Sequence, residues 1–125
     1  MDLILWRHAD AREAREGESD ADRPLTPKGE RQAKRMAQWL NHHLPDTTKV
    51  LVSPTRRTEE TAKALDRKYK LSAQLAPDQT VDALLGTVRW PDAKEPVLVV
   101  GHQFTLGLTA AYLLLHTYPV RPGDA

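Results

Sequence analysis

Apolar residues in this chain come as short, dense runs separated by longer polar stretches, and each run ends abruptly. Leu3-Ile4-Leu5-Trp6 is the first, and it breaks at Arg7-His8. Four consecutive apolar residues read as a strand buried on both faces, the pattern of a parallel sheet. Asp10 to Asp22 is charged, with a turn signal at Gly17-Glu18-Ser19-Asp20, and reads as a solvated loop containing a helical turn. A helix then starts: Thr26 can cap it, and Pro27 at the first helical position sacrifices no hydrogen bond. Ala33, Met36, Ala37 and Leu40 recur at three- and four-residue spacing, which predicts one apolar face on a helix ending near His43. Pro45-Asp46-Thr47-Thr48 turns the chain into a second buried strand, Lys49–Ser53. Pro54–Ala62 reads as the opening of a second helix, with Ser53 in the capping position and Glu59/Lys63 as an i,i+4 pair.

Residues 69–94 carry the weakest pattern. Ser72–Ala76 is expected as a short strand and Val81–Leu85 as a helical turn. Pro96-Val97-Leu98-Val99-Val100 is the strongest strand signal and stops at Gly101-His102-Gln103, after which Phe104–His116 has the apolar density of a mostly buried helix. Strand and helix alternate along the chain. That order predicts an α/β fold, a three-layer sandwich with a mainly parallel central sheet flanked by helices and right-handed crossovers.

Composition narrows the chemistry. The 125 residues fit one domain. Cysteine is absent, so disulfides, zinc–thiolate sites and thiol nucleophiles are excluded. Eighteen Lys+Arg against seventeen Asp+Glu give a net charge of +1, too little to draw the protein onto nucleic acid or an anionic membrane. The longest apolar stretch, Leu106–Leu115, contains Thr109 and is too short to span a bilayer. A soluble, cytoplasmic protein is expected.

The candidate chemistry lies where the strands stop. Ligands of open parallel sheets bind beyond the carboxyl ends of the strands. There the three strong strands deliver Arg7-His8, then Ser53 with Arg56-Arg57 one turn later, then Gly101-His102. Guanidinium groups match tetrahedral oxyanions, and a helix N-terminus adds to an anion site. A phosphate is the natural guest. No GxxxxGKS loop and no acidic cluster suited to magnesium is present, so the expected reaction is phosphate chemistry without metal or cofactor, carried by a histidine nucleophile. Flanking arginines keep an imidazole neutral, hence nucleophilic, and stabilise charge on a transferring phosphoryl group. His102 can donate a hydrogen bond to that group.

Leu5-Trp6-Arg7-His8-Ala9-Asp10 resembles the RHG signature of the histidine phosphatase (phosphoglycerate mutase-like) superfamily. Arg23–Gly29, Ser53–Thr61 and Val99–His102 are similar to its later motifs, in order, and their short spacing is most similar to the SixA-type phosphohistidine phosphatases. The resemblance implies that His8 is the nucleophile, transiently phosphorylated, and that Arg7, Arg57 and His102 form the phosphate pocket with Ser53. It selects Arg57 over Arg56 and places Arg23 near the site. It implies dephosphorylation of phosphohistidine on a protein such as a phosphotransfer domain or phosphocarrier. The rival activities are hydrolysis of small phosphate esters or anhydrides, and phosphate binding with little catalysis. Ala9 stands where glycine is commoner, so the backbone there must accept a Cβ. The family usually adds strands after the last motif, whereas Val120–Ala125 is turn-rich; the 1–125 domain is therefore expected to lack C-terminal strands of a longer protein.

A general acid is not evident. Asp10, Asp78 and Asp82 are the candidates, although a phosphohistidine substrate would scarcely need one, because its P–N bond is labile and imidazole is easily protonated. His42-His43 and His116 read as solvated helix ends, Trp6 as sheet core and Trp39 as packing on the first helix. Trp90 is expected either to wall the cleft or to cover the sheet. Arg12, Arg15, Lys28 and Arg31, mixed with Glu13, Glu16, Glu18 and Glu30, read as ordinary solvated surface.

Overall fold

The computed structural model describes residues 2–117. Four strands form one sheet: β1 (Leu3–Arg7), β2 (Lys49–Val52), β3 (Lys70–Leu71) and β4 (Val97–Gly101), in spatial order β1-β4-β2-β3. Every pairing is parallel. Helices α1 (Pro27–His43), α2 (Arg56–Lys63), α3 (Val81–Thr87) and α4 (Gln103–Thr117) provide the outer layers.

Strand alternation assigns the two faces. Ile4, Trp6, Val50, Val52, Leu98 and Val100 point to one side and pack with Ala37 and Leu40 of α1 and Ala62 of α2. Leu3, Leu5, Leu51, Val97 and Val99 point to the other and pack with Leu84 of α3 and Leu106 of α4. All five residues of β4 are buried, as a central strand covered on both faces requires. The expected three-layer sandwich is thus the observed one.

Local signals explain most boundaries. Thr26 caps α1 by accepting from the Gly29 amide, with Pro27 at the first helical position. The cap of α2 differs from expectation. It is Thr55, in a reciprocal box with Thr58, while Ser53 remains in the sheet, its amide donating to the Val100 carbonyl at 3.0 Å. The strand expected at Ser72–Ala76 is also displaced. Lys70–Leu71 pairs with β2, and Ala73–Leu75 is a 3-10 turn that buries Leu75. The turn at Val81–Leu85 extends to Thr87 and is capped by Thr80.

Two packing expectations fail on the helices. The buried stripe of α1 is Gly29, Ala33, Ala37 and Leu40; Met36 lies beside it, exposed, and Trp39 is 56% exposed and stacks on the His43 ring. Small residues suffice there because α1 packs closely against α2 and, at Gly29, against the Asp10 backbone. Helix α4 buries Thr105, Leu106 and Thr109, but Phe104, Leu108, Tyr112, Leu114 and Leu115 are exposed, so it is not the mostly buried helix its composition suggests. Among the described residues only one of its faces meets α3 and β1. His42 and His43 sit on the exposed end of α1, and Trp90 packs under the sheet with Leu84 and Val88 rather than lining the cleft described below. The turn-rich ending at Val120–Ala125 lies outside the described residues. No helix among them is long and apolar enough to cross a membrane.

Candidate active site

In-register parallel pairing brings three strand ends to one edge. Arg7 is level with Gly101, and Val52 with Val100. The ladder continues one residue further on both sides: the His8 amide donates to the Gly101 carbonyl at 3.0 Å, as Ser53 does to Val100. His8 and Ser53 are therefore fixed by sheet hydrogen bonds rather than by loop conformation, and the His102 carbonyl, directly after β4, accepts from the Leu106 amide at the start of α4. The rings of His8 and His102 meet edge-on, 5.5 Å between centroids.

The tautomer of His8 follows from its partner. Nδ1 lies 2.7 Å from the Ala9 carbonyl oxygen, which can only accept, so Nδ1 carries the proton and Nε2 keeps its lone pair. The pKa of His8 is lowered, first by withdrawal from water, and further by Arg57, Arg7 and Arg23, against the bond to Ala9, which raises it. The imidazole is thus neutral and oriented near neutral pH, as a nucleophile must be. Ala9 accommodates its Cβ in a small cluster with Leu25 and Ala33, and its amide donates to Thr61 Oγ1. Alanine is well tolerated at this position.

Arg57 is 3% exposed, whereas Arg56 points outward to Glu60. That difference selects Arg57. Its Nη1 donates to the Asp20 carbonyl at 2.8 Å, and its Nη2 donates to Asp20 Oδ2 at 3.0 Å and lies 3.4 Å from His102 Nδ1. Its Nε is buried without a hydrogen-bond partner among the described residues. A buried, unpaired N–H on a guanidinium costs about 1–3 kcal/mol, and an oxyanion would satisfy it.

His102 faces Ser53 through Nε2, 2.8 Å from Oγ. Burial, then the positive charge of Arg57, lowers its pKa to about 4, so it is neutral at neutral pH. Ser53 is fully buried and positions His102 instead of lining the open cleft. That cleft, about 670 Å³, opens beside His8 between the first strand-end loop and α1; Arg7, Asp10, Glu13, Arg23 and Met36 line it. Arg7 is exposed there. Arg23 donates to Asp20 Oδ1 at 3.0 Å and to the Arg12 carbonyl at 3.1 Å.

The acid candidates separate clearly. The Asp10 carboxylate lines the cleft but is tied to the Thr26 hydroxyl at 2.6 Å, which anchors it to the start of α1. Asp78 and Asp82 are exposed and, among the described residues, make no hydrogen bond or ion pair with any site residue, so the structure does not bring them into the site. Their loop does lie near it, since Thr105 in the first turn of α4 donates to the Gln79 carbonyl. Two acidic residues read as ordinary surface prove relevant: Glu13 lines the cleft, and Asp20 bridges Arg57 and Arg23. The only sequence signal for Asp20 was its three-residue spacing from Arg23. No group of three His, Cys, Asp or Glu side chains that could hold a metal ion occurs among the described residues.

The family model for the histidine phosphatase superfamily, branch 1, matches residues 3–80. An uncharacterized protein of Picosynechococcus sp. is 36% identical over 116 residues, covering 86% of this chain and 69% of that protein. The phosphohistidine phosphatase SixA of Escherichia coli is 32% identical over 121 residues, covering 90% of this chain and 74% of its own length. A solved structure from Nakamurella multipartitia, provisionally assigned as a phosphohistidine phosphatase SixA, superposes with a TM-score of 0.80 at 36% identity, over 98% of this chain and 73% of that one. With His8, Arg7, Arg57 and His102 gathered at one sheet edge and the family model covering most of the chain, this protein belongs to the histidine phosphatase superfamily, branch 1, and is a metal-independent phosphohydrolase of that superfamily.

Proposed function

We propose that the protein removes the phosphoryl group from phosphohistidine on a partner protein, such as a phosphotransfer domain or phosphocarrier, in the cytoplasm. The observation that carries this reading is the site's chemistry: an oriented, neutral His8 beside three arginines, with no hydrogen bond or ion pair from Asp78 or Asp82 to any site residue among the described residues. The likeness to SixA supports the same substrate class.

His8 Nε2 attacks phosphorus, a new P–N bond forms, and the substrate's P–N bond breaks, its electron pair returning to the departing imidazole. One P–N bond replaces another, and imidazole takes a proton readily from water near neutral pH, so no dedicated acid is required. Arg7 and Arg57, with Arg23 at the rim, hold the phosphoryl oxygens and stabilise the spreading charge. Ser53 can donate to His102 Nε2, which frees a proton on Nδ1 for a phosphoryl oxygen. Water then attacks phospho-His8 and releases inorganic phosphate, regenerating the neutral imidazole.

The test compares the wild type with His8→Ala in EDTA, on a phosphohistidine-bearing protein and on an aryl phosphate. Release from phosphohistidine that vanishes in the variant and exceeds ester hydrolysis supports the reading. Preference for the ester would reassign the enzyme to small phosphate esters. Oxyanion binding without turnover on either substrate would make it a phosphate-binding module.

A further inference from the structure

The acidic residue that bridges the arginines has no place in the steps above. Asp20 lies in the 3-10 turn Asp20–Asp22, far in sequence from α2, yet it accounts for both terminal nitrogens of Arg57: its carbonyl accepts from Nη1 and its Oδ2 from Nη2. Its other carboxylate oxygen accepts from Arg23 Nε. One carboxylate therefore holds two guanidinium groups, one buried and one at the rim of the His8 cleft. With its terminal nitrogens held, Arg57 is left with a buried Nε that has no partner among the described residues.

From this geometry we propose that Asp20 is a positioning residue for phosphoryl transfer: it clamps Arg57 and Arg23 as a fixed pair and brings the charge of Arg7, Arg23 and Arg57 down to +2, matched to a dianionic phosphoryl group. The proposal rests on the phosphohydrolase reading of the site. A guanidinium fork is useful only in one orientation, because each N–H must meet an oxygen along its own axis. A side chain of this length, unclamped, would sample other rotamers and lose that orientation. The Asp20 side chain is 64% exposed, so it contributes little core packing, and the clamp is electrostatic and directional. Asp22, on the same turn, offers an internal control: its carboxylate accepts from the Ser19 hydroxyl and touches neither arginine.

The experiment uses the full chain with Asp20→Asn, Asp20→Glu and Asp22→Asn. It measures tungstate affinity by calorimetry, the rate of His8 phosphorylation in single turnover with an aryl phosphate, and the melting temperature. Asp20→Asn should weaken tungstate binding and slow phosphorylation by about 10- to 100-fold, the worth of a charge-assisted hydrogen bond. Asp20→Glu should recover part of both losses. Asp22→Asn, which removes the same charge from the same turn, should match the wild type, and all melting temperatures should stay within a few degrees. Unchanged or tighter tungstate binding in Asp20→Asn would overturn the clamp and mark Asp20 instead as an anion that competes with substrate. A wild type that binds tungstate but hydrolyses nothing would remove the phosphohydrolase reading, and the affinities alone would then decide the role of Asp20. Equal losses in Asp22→Asn would reduce the effect to general charge and end the proposal.

Discussion

Gly29→Ala offers a sharp test of how the nucleophile loop is held, because propensity and packing predict opposite signs. Gly29 is the third residue of α1, where alanine would ordinarily stabilise a helix by about 1 kcal/mol. Here a Cβ would overlap the Asp10 carbonyl oxygen, a backbone atom with nowhere cheap to go. That carbonyl accepts from the Thr26 amide at 2.9 Å, and the Asp10 amide donates to Gln32 Oε1, so Asp10 is stitched to α1 from both sides. Overpacking costs about 1–3 kcal/mol and loss of the Thr26 bond about 1 more, against the 1 gained from propensity. The net expectation is a destabilisation of about 1–3 kcal/mol, or a melting temperature lower by roughly 5–10 °C for a chain of this size. Asp10 follows Ala9, whose carbonyl sets the His8 tautomer, so phosphatase turnover should fall by about 10- to 100-fold as the imidazole is misplaced. Gly86 in α3 is the control: a Cβ there meets nothing, and Gly86→Ala should be neutral or stabilising by about 0.5–1 kcal/mol, with full activity. Thermal unfolding and steady-state kinetics of both variants decide the matter. A Gly29→Ala protein as stable and active as Gly86→Ala would show that the close approach of Asp10 to α1 does not constrain the site.

Other substitutions probe the pocket directly. Arg57→Lys, which keeps the charge but loses the fork held by Asp20, should lower kcat/KM by about 10²–10³-fold, while Arg56→Ala should change it by less than about twofold; similar losses in both would contradict the selection of Arg57 by burial. Ser53→Ala leaves the buried His102 Nε2 without its hydrogen-bond partner and should destabilise the fold by about 1–3 kcal/mol in chemical denaturation. Stability should also depend on pH through His102. Its pKa is about 4 when folded, below the 6.5 of an unperturbed imidazole, so between those values the unfolded chain binds more protons. Stability is therefore full above pH 6.5 and falls as pH drops towards 4, and His102→Gln should flatten that slope. A wild-type stability that rises on acidification through this window would refute the assignment of a neutral, buried His102.

How much of this was legible in the sequence depends on the range of the interaction involved. The strands ending at Arg7-His8, Ser53 and Gly101-His102 follow from apolar runs alone, and α1 from its cap, proline and periodicity. Once alternation implies a parallel sheet, all three strand ends must share an edge. The phosphate-directed residues could thus be placed together before any coordinates. Short-range rules were less reliable where two of them competed. Ser53 could cap α2 or extend the sheet, and Ser72–Ala76 could be strand or turn. Sheet hydrogen bonding at Val100 and the burial of Leu75 decided these cases.

Tertiary structure alone decided which of the polar residues do anything at the site. Arg56 and Arg57 are neighbours of the same chemistry, and only helix rotation against the sheet buries one and exposes the other. Met36 and Trp39 carry the right hydrophobicity for the core, yet the packing of α1 against α2 and the Asp10 backbone buries only Gly29, Ala33, Ala37 and Leu40. Asp20 looked like one charge in a solvated run, and it became a bridge between two arginines because Arg57, 37 residues away, reaches back to it. Periodicity encodes which face of an element is apolar and where it ends, since those depend on neighbours within a few residues. Which charges meet depends on the packing of elements distant in sequence, and a single chain's pattern carries no record of that.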